Sequence, residues 1–260
     1  MWLVVVLALP VLAIAAVTWN RFDGLYGQDP YAYYDYAIGP LRSALLALHL
    51  PPPFTWPPGY PLLVALTPFI VGVTPRAGQL VSLAAGVLTP IFTALFAYEV
   101  WSKDREWSSP VSRFPFHAIP LLAGLLVALT GQLWQSSVVV MSDTTALAAV
   151  TAGAWALARY GRREMPRSAV WLMLAAGAVA YAIMTRWAYA LVAVPFTMYA
   201  VLLLARSGWR TAILHGLAAA AVALIVLTPV LVPQLRSLTG AASDLPFAVD
   251  LQVYSWNPLN

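Results

Sequence analysis

The chain alternates between long apolar runs and short polar segments. An uncharged run long enough to cross about 30 Å of hydrocarbon predicts a transmembrane helix. Seven such runs lie near residues 2–18, 77–98, 116–133, 144–158, 169–185, 187–205 and 211–233. An eighth apolar run, 60–75, is broken by three prolines, which favours an interfacial or re-entrant helix over a span. The pattern therefore predicts an all-α membrane protein with seven spans.

Basic residues orient these spans. With the N-terminus inside, seven spans place nine Lys and Arg residues in the inner loops and five in the outer ones, as the positive-inside rule requires. If 60–75 also crossed, the basic loops at 103–113 and 159–167 would move outside. The seven-span arrangement puts six acids on the outer side, and the chemistry is expected there. They are Asp23, Asp29, Asp35, Asp143, Asp244 and Asp250.

Composition agrees with a membrane location. Apolar residues make up 61% of the chain and charged residues 9%, against about 25% charged in soluble domains. The net charge of +4 comes from scattered loop residues, which indicates membrane topology and not nucleic-acid binding. The chain has no cysteine, which excludes disulfides, thiolate metal sites and cysteine nucleophiles.

The organisation predicted is one membrane domain, residues 1–260, with an outer loop at 19–76 and an outer C-terminal tail at 234–260. The first run lacks a basic n-region, so we expect a retained span, not a cleaved signal peptide. Asp29 and Pro30 predict the N-cap and first position of a surface helix with tyrosines at headgroup depth. The 60–75 helix is the second interfacial helix, and 51–61 is predicted to be a stiff, extended connector.

Several short motifs follow one another in order. They are Asp29, Tyr33 and Ala37; Pro57, Pro58 and Tyr60; Ser142 and Asp143; and Thr185 and Arg186. Together they resemble the GT-C superfamily of polyprenyl-phosphate-sugar glycosyltransferases, which includes protein mannosyltransferases, aminoarabinose transferases and oligosaccharyltransferases. Gln79 stands where such families often carry an Arg, and Arg76 is expected to substitute. Family members normally continue into further spans or a soluble domain, so the alternative that this chain is a fragment stays open.

The resemblance implies an inverting glycosyltransferase, and simple chemistry suits the residues. Sugar transfer needs a base for the acceptor proton, whereas the leaving phosphate needs positive charge. Asp29 is the predicted base, in a single inverting displacement. Arg186 is predicted to hold the lipid phosphate bidentately, and Asp143 could hold Mg or Mn together with Asp29. Further substrate contacts are predicted from Tyr33, Trp56, Tyr60 and Arg76.

Simpler interpretations stand beside these. Asp29 and Asp143 could only cap helices, Arg186 could reach for lipid headgroups, and the aromatic residues could anchor the protein at the interface. His49, His117 and His215 are isolated and show no metal spacing. There is no nucleophile elbow and no P-loop lysine, which argues against a serine hydrolase and an ATP-driven protein.

The function predicted is transfer of a sugar from a polyprenyl phosphate to a hydroxyl of a lipid, glycan or protein at the outer face of the cell membrane. Asp29, Asp143 and Arg186 are expected to converge on one outward-opening cavity. A transporter or flippase is the rival from another class, although neither related halves nor paired broken helices are visible. A non-catalytic glycosyltransferase core is the second alternative.

Overall fold

A computed structural model of the protein describes residues 2–49, 51–52, 54–103, 118–162 and 168–238. These residues form helices and no strand, which confirms the all-α fold class. The helices are α1 (Trp2–Thr18), α2 (Gln28–Tyr36), α3 (Arg42–Leu46), α4 (Gly59–Leu66), α5 (Pro68–Val71), α6 (Arg76–Lys103), α7 (Ala118–Ala128), α8 (Gly131–Val138), α9 (Asp143–Tyr160), α10 (Ala169–Thr185), α11 (Ala190–Ala205) and α12 (Trp209–Leu238). The predicted tail at 234–260 lies mostly outside the described residues.

Three helices within the described ranges are long and apolar enough to cross a membrane: Arg76–Ser102, Trp187–Ala205 and Trp209–Leu231. Taken as one bent span, α7 and α8 would make a fourth. Helices α1 and α10 are apolar but have only 17 residues each. The structure therefore supports a membrane protein with three to four candidate spans.

The apolar run at 116–133, predicted as one span, contains a break between two helices. Helix α7 ends at Ala128, α8 begins at Gly131, and their axes are bent by 59°. Trp134 Nε1 donates to the Ala128 carbonyl oxygen at 2.6 Å, and Thr130 Oγ1 donates to the Val127 carbonyl oxygen at 2.9 Å. Side chains thus satisfy carbonyl groups that a continuing helix would have bonded, so the helix can stop here.

Two helical stretches occupy the predicted outer loop. The first runs from α2 through a π-helical segment, Ala37–Leu41, into α3. Pro40 lies within that segment and has no N–H to donate, which is a common reason for a local change in helical hydrogen bonding. The second stretch is α4 followed by α5, and because α4 already begins at Gly59, the extended connector is shorter than the predicted 51–61.

The predicted helix start at Asp29 is also corrected. Helix α2 begins at Gln28, its N-cap is Gly27, and Asp29 lies in the first turn. Gly27 has a φ of 76°, a left-handed conformation that glycine adopts without strain. Asp29 therefore makes no N-cap, although a carboxylate in the first turn still interacts favourably with the helix dipole.

Helices α6 and α9 form the centre of the molecule. Helix α6 also packs against α1 and α7, and α9 packs against α10, which in turn packs against α12. Thr144 Oγ1 donates to the Ser82 carbonyl oxygen at 3.2 Å, and further along Arg159 contacts Glu99 at 2.8 Å. The two helices therefore run parallel, side by side, for roughly 22–26 Å at 1.5 Å per residue.

Candidate functional site

Tyr33 is the residue around which the candidate site is built. It lies on α2 with a buried ring, and its hydroxyl is 3.2 Å from Ser142 Oγ, 109 residues later in the chain. Ser142 is the N-cap of α9, but its hydroxyl makes no capping bond. That hydroxyl instead joins α2, in the segment between α1 and α6, to the start of the central helix α9.

An ion pair lies beside this contact. Arg186 follows α10 directly in an extended conformation, and its Nη1 donates to Asp143 Oδ1 in the first turn of α9. The side chains of Arg186 and Asp143 are 45% and 33% exposed, so both can be reached by a ligand. An exposed pair of this kind stabilises the fold by only about 0–1 kcal/mol, which leaves its charges free for another role.

Three predicted ionisable residues surround the Tyr33 hydroxyl. Burial raises the pKa of Tyr33, the hydrogen bond with Ser142 and the charge of Arg186 oppose that change, and the charges of Asp29 and Asp143 add to it. Asp29 lies one helical turn before Tyr33, so both are on the same side of α2. The charges of Asp29, Asp143 and Arg186 therefore all act on the Tyr33 hydroxyl, and Arg186 and Asp143 contact each other.

Aromatic rings form the wall behind Tyr33. Its ring lies 5.3 Å from Trp56, 5.8 Å from Phe54 and 5.5 Å from Tyr60, measured between centroids. Trp56 is half-buried. Tyr60 is fully buried, and its hydroxyl donates to the Gly78 carbonyl oxygen at 3.0 Å and lies 2.9 Å from Ser82 Oγ. Of the predicted sugar-stacking residues, Trp56 keeps an accessible surface, whereas Tyr60 supports the wall from inside.

Arg76 lies apart from this group. Its guanidinium sits 5.0 Å from the ring centroid of Trp19, at a depression of about 530 Å³ that Asp23 also lines. Gln79, the residue noted as unlike the family pattern, is buried and donates from Nε2 to the carbonyl oxygens of Phe22 and Val138. Its amide therefore ties the first loop to the segment before α9.

A close backbone contact fixes α4 against α10. A Cβ atom on Gly59 would lie 2.6 Å from Thr185 Oγ1 and 2.7 Å from the Met184 carbonyl oxygen, so only glycine fits. Tyr181 reinforces the contact by donating from its hydroxyl to the Gly59 carbonyl oxygen at 2.9 Å. This contact holds the helix that precedes Arg186 next to the aromatic wall.

An apolar groove of about 470 Å³ lies along α9, the helix that carries Asp143 in its first turn. Helices α4, α5, α6, α9 and α10 line it with apolar side chains, apart from Thr67, Thr145 and Tyr181. Thr145 lies two residues after Asp143, and its buried hydroxyl has no hydrogen-bond partner among the described residues. The α9 residues from Thr145 to Ala152 follow the groove for about 10 Å.

Contacts between residues that are far apart in the chain are the main feature of the site that the sequence does not predict. Ser142 belongs to the motif set of the sequence, but its contact with Tyr33 is not predicted, and Tyr189, which interacts electrostatically with Asp143 and Arg186, is not among the predicted site residues. The position of Tyr189 three residues after Arg186 is a signal that could have indicated its place. No sequence signal links Ser142 to Tyr33.

A metal has few ligands available here. Within the described residues, no group of three or more His, Cys, Asp or Glu side chains is placed to hold one. The predicted Mg or Mn site rests on Asp29 and Asp143, and Asp143 is already engaged by Arg186. Arg186 supplies positive charge at this point, so the sugar-transfer step can use this residue to stabilise the leaving phosphate. The Mg or Mn site stays a prediction.

Comparison with protein-family models, curated proteins and solved structures finds no significant match to this chain.

Proposed function

We propose that the protein is an integral membrane glycosyltransferase that moves a sugar from a polyprenyl phosphate to a hydroxyl acceptor, with inversion of the anomeric centre. The observation that supports this most is the adjacency of two unlike surfaces. Helix α9 carries Asp143, one member of the accessible Arg186–Asp143 pair, in its first turn, and from Thr145 onwards the same helix lines a groove whose other side chains are almost all apolar. A ligand that matches both surfaces has an anionic head and a hydrocarbon tail.

Arg186 is suited to the head of such a ligand. A guanidinium presents parallel N–H donors that match two phosphate oxygens. Asp143 holds the guanidinium in place before the donor arrives, and when the donor binds, the remaining N–H groups of Arg186 face the phosphate. The hydroxyl of Tyr33 stays protonated at neutral pH because burial raises its pKa, so it is a hydrogen-bond donor to the same head group.

Asp29 is suited to activate the acceptor. Its carboxylate is exposed on α2, where an acceptor can reach it from solvent. The carboxylate takes the hydroxyl proton while the acceptor oxygen forms a bond to the anomeric carbon. The bond from that carbon to the phosphate oxygen breaks, and its electron pair leaves with polyprenyl phosphate, whose added charge Arg186 stabilises. Trp56 offers an apolar face for the sugar ring.

A lipid transporter is the alternative that the same two surfaces allow. A flippase would also bind an anionic head and an apolar tail, but it would leave the donor chemically intact. The two functions therefore differ in whether the sugar–phosphate bond is broken.

The test uses purified protein in detergent micelles, a panel of polyprenyl phosphates carrying labelled hexoses or pentoses, and hydroxyl acceptors. We expect release of polyprenyl phosphate in a one-to-one ratio with labelled product, and a product of inverted anomeric configuration. An intact donor throughout the panel, combined with movement of that donor between leaflets in vesicles, would establish the transporter instead.

A further inference from the structure

Glu99 is a buried carboxylate far from the candidate site. It lies near the C-terminal end of α6 with a side chain that is 2% exposed. A buried charge is strongly unfavourable unless it is paired. Arg159 Nη1 contacts Glu99 Oε1 at 2.8 Å, and Arg162 Nε contacts Oε2. Arg162 also donates to Ser102 Oγ.

The arginines outnumber the carboxylate that they surround. In the described part of the chain, two guanidinium groups face the single carboxylate of Glu99. The side chains of Arg159 and Arg162 are 25% and 19% exposed, so each keeps an accessible edge. The Nε of Arg159 is buried and has no hydrogen-bond partner among the residues that the structure describes, so the exposed edges of the two guanidinium groups are the parts that a ligand can reach. This cluster therefore has positive charge and donor capacity left for an anion.

The distance between the Glu99 cluster and the candidate site indicates which kind of anion the cluster binds. Helices α6 and α9 run side by side from the Thr144–Ser82 contact to the Arg159–Glu99 contact, roughly 22–26 Å along their axes. That distance is close to the hydrocarbon thickness of about 30 Å. If the Asp143–Arg186 pair lies at one membrane surface, the Glu99 cluster lies at the other, at the depth of lipid phosphates.

The aromatic neighbours of the cluster suit the same depth. Arg159 lies 5.6 Å from the ring centroid of Trp171, and Arg162 lies 5.5 Å from that of Tyr98. Trp and Tyr are enriched at the headgroup level of membranes. The cluster therefore combines two arginines with the aromatic residues that are typical of headgroup depth.

We propose that Arg159 and Arg162, whose combined charge exceeds that of Glu99, bind the phosphate of an anionic phospholipid in the leaflet opposite the candidate site. Two neighbouring guanidinium groups offer paired N–H donors to phosphate oxygens. The bound lipid bridges the end of α9 and, through Glu99, the end of α6. This inference is independent of the proposed transferase activity and requires only that the two helices cross the membrane.

The test measures thermal unfolding of the full chain in nanodiscs of phosphatidylcholine, with and without phosphatidylglycerol. A ligand that binds only the folded state raises Tm. We expect phosphatidylglycerol to raise the Tm of the wild type. The same lipid should raise the Tm of Arg162→Gln much less. Arg210→Gln is the matched control, because Arg210 is an exposed arginine that contacts Trp209 outside the cluster. It should keep the wild-type shift.

Glu99→Gln gives a second measurement that does not depend on Arg162. Without the carboxylate, the two arginines repel each other, so this variant should have a lower Tm than the wild type in phosphatidylcholine. Its gain from phosphatidylglycerol should exceed that of the wild type. The proposal is overturned if Arg162→Gln keeps the full shift, if Arg210→Gln loses as much as Arg162→Gln, or if Glu99→Gln gains no more than the wild type. A shift of equal size from inorganic phosphate in phosphatidylcholine discs would also overturn the assignment to a lipid.

Discussion

Tyr33 connects parts of the candidate site that lie far apart in the chain. Its hydroxyl meets Ser142, its ring meets Trp56, and the charges of Asp29 and Arg186 act on it. Burial keeps this hydroxyl protonated, so at neutral pH it acts as a neutral hydrogen-bonding group between two carboxylates and an arginine.

Tyr36, on the same helix, provides a test of burial at this surface. Its ring stacks on Phe54 with centroids 4.0 Å apart, and its hydroxyl donates to the Pro52 carbonyl oxygen at 2.8 Å. Burial raises the pKa of Tyr36 to about 12. The folded state therefore holds this proton more tightly than the unfolded state, and the resulting stabilisation is complete below pH 10 and is lost as pH rises from 10 towards 12.

We expect Tyr36→Phe to reduce the loss of unfolding free energy between pH 8 and 11 by about 1.4 kcal/mol. Loss of the hydrogen bond to Pro52 should lower stability by about 1 kcal/mol at pH 7. The loss of stability at pH 7 serves as the reference, because at that pH Tyr36 is neutral in both the folded and the unfolded state. Unfolding measured at pH 8, 10 and 11 would contradict the assignment if the wild type and the variant lost stability in parallel.

Gln79 and Tyr60 show how far residue types can predict roles. In the sequence, Gln79 is a departure from a family pattern and Tyr60 is a possible sugar contact. In the structure both are buried, and they hydrogen-bond to carbonyl groups of segments that are distant or not adjacent in the chain. Burial and partners depend on tertiary packing, which local motifs do not contain.

At the scale of elements, α9 links the polar site to the apolar groove. Asp143 and Ser142 are at its start, and Thr145, Ala149 and Ala152 follow along the groove. The spacing of these small residues leaves room beside the helix for a hydrocarbon chain. The tail-binding role that we propose for the groove therefore concerns α9 as a whole.

Ala149→Phe tests that role because Ala149 lines the groove and is only half-buried. The added ring should fill part of the 470 Å³ and raise KM for a long-chain polyprenyl donor by about tenfold, the equivalent of 1.4 kcal/mol. A donor with a short tail should be affected much less. The matched control is Ala220→Phe, which adds the same ring to an exposed position of α12. Equal KM changes for both donors, or for both variants, would contradict the role of the groove.

Hydropathy predicted most helices but not how they end. The apolar run at 116–133 gives no sign of the bend between α7 and α8, because the bend depends on Trp134 bonding back to the Ala128 carbonyl group. Likewise, Asp29–Pro30 is a good capping pair by composition, yet Gly27 takes the N-cap position of α2. Both differences depend on a single hydrogen bond or on the backbone conformation of one residue. A hydropathy profile, which averages over many residues, does not contain this information.

At the scale of the whole molecule, the number of spans is the main open prediction. Seven apolar runs and the distribution of basic residues favour seven, whereas three to four helices in the described residues meet strict criteria of length and apolarity. The difference arises from helices such as α1 and α10, whose 17 residues extend about 26 Å. That length is at the lower limit for a span, so length alone does not decide their role.

Single-cysteine labelling can determine the topology, since the natural chain has no cysteine. Asp35→Cys and Ala188→Cys should react with a membrane-impermeant maleimide from outside the cell. Ser168→Cys and Ser207→Cys should react only after the membrane is permeabilised. All four positions are described and at least partly exposed, so the reagent can reach them. Labelling of Asp35→Cys and Ser168→Cys from the same side would rule out the seven-span arrangement.

The measurement that tests the central claim most directly is the turnover of Asp29→Asn. This variant keeps the shape of the side chain and removes the base, so kcat for sugar transfer should fall by a factor of about 10² or more, while the KM of the donor changes little. Asp35→Asn is the matched control on the same helix, because Asp35 is exposed and projects in another direction from α2. It should retain wild-type turnover. Unchanged kcat in Asp29→Asn, or an equal loss in both variants, would contradict the assignment of Asp29 as the catalytic base.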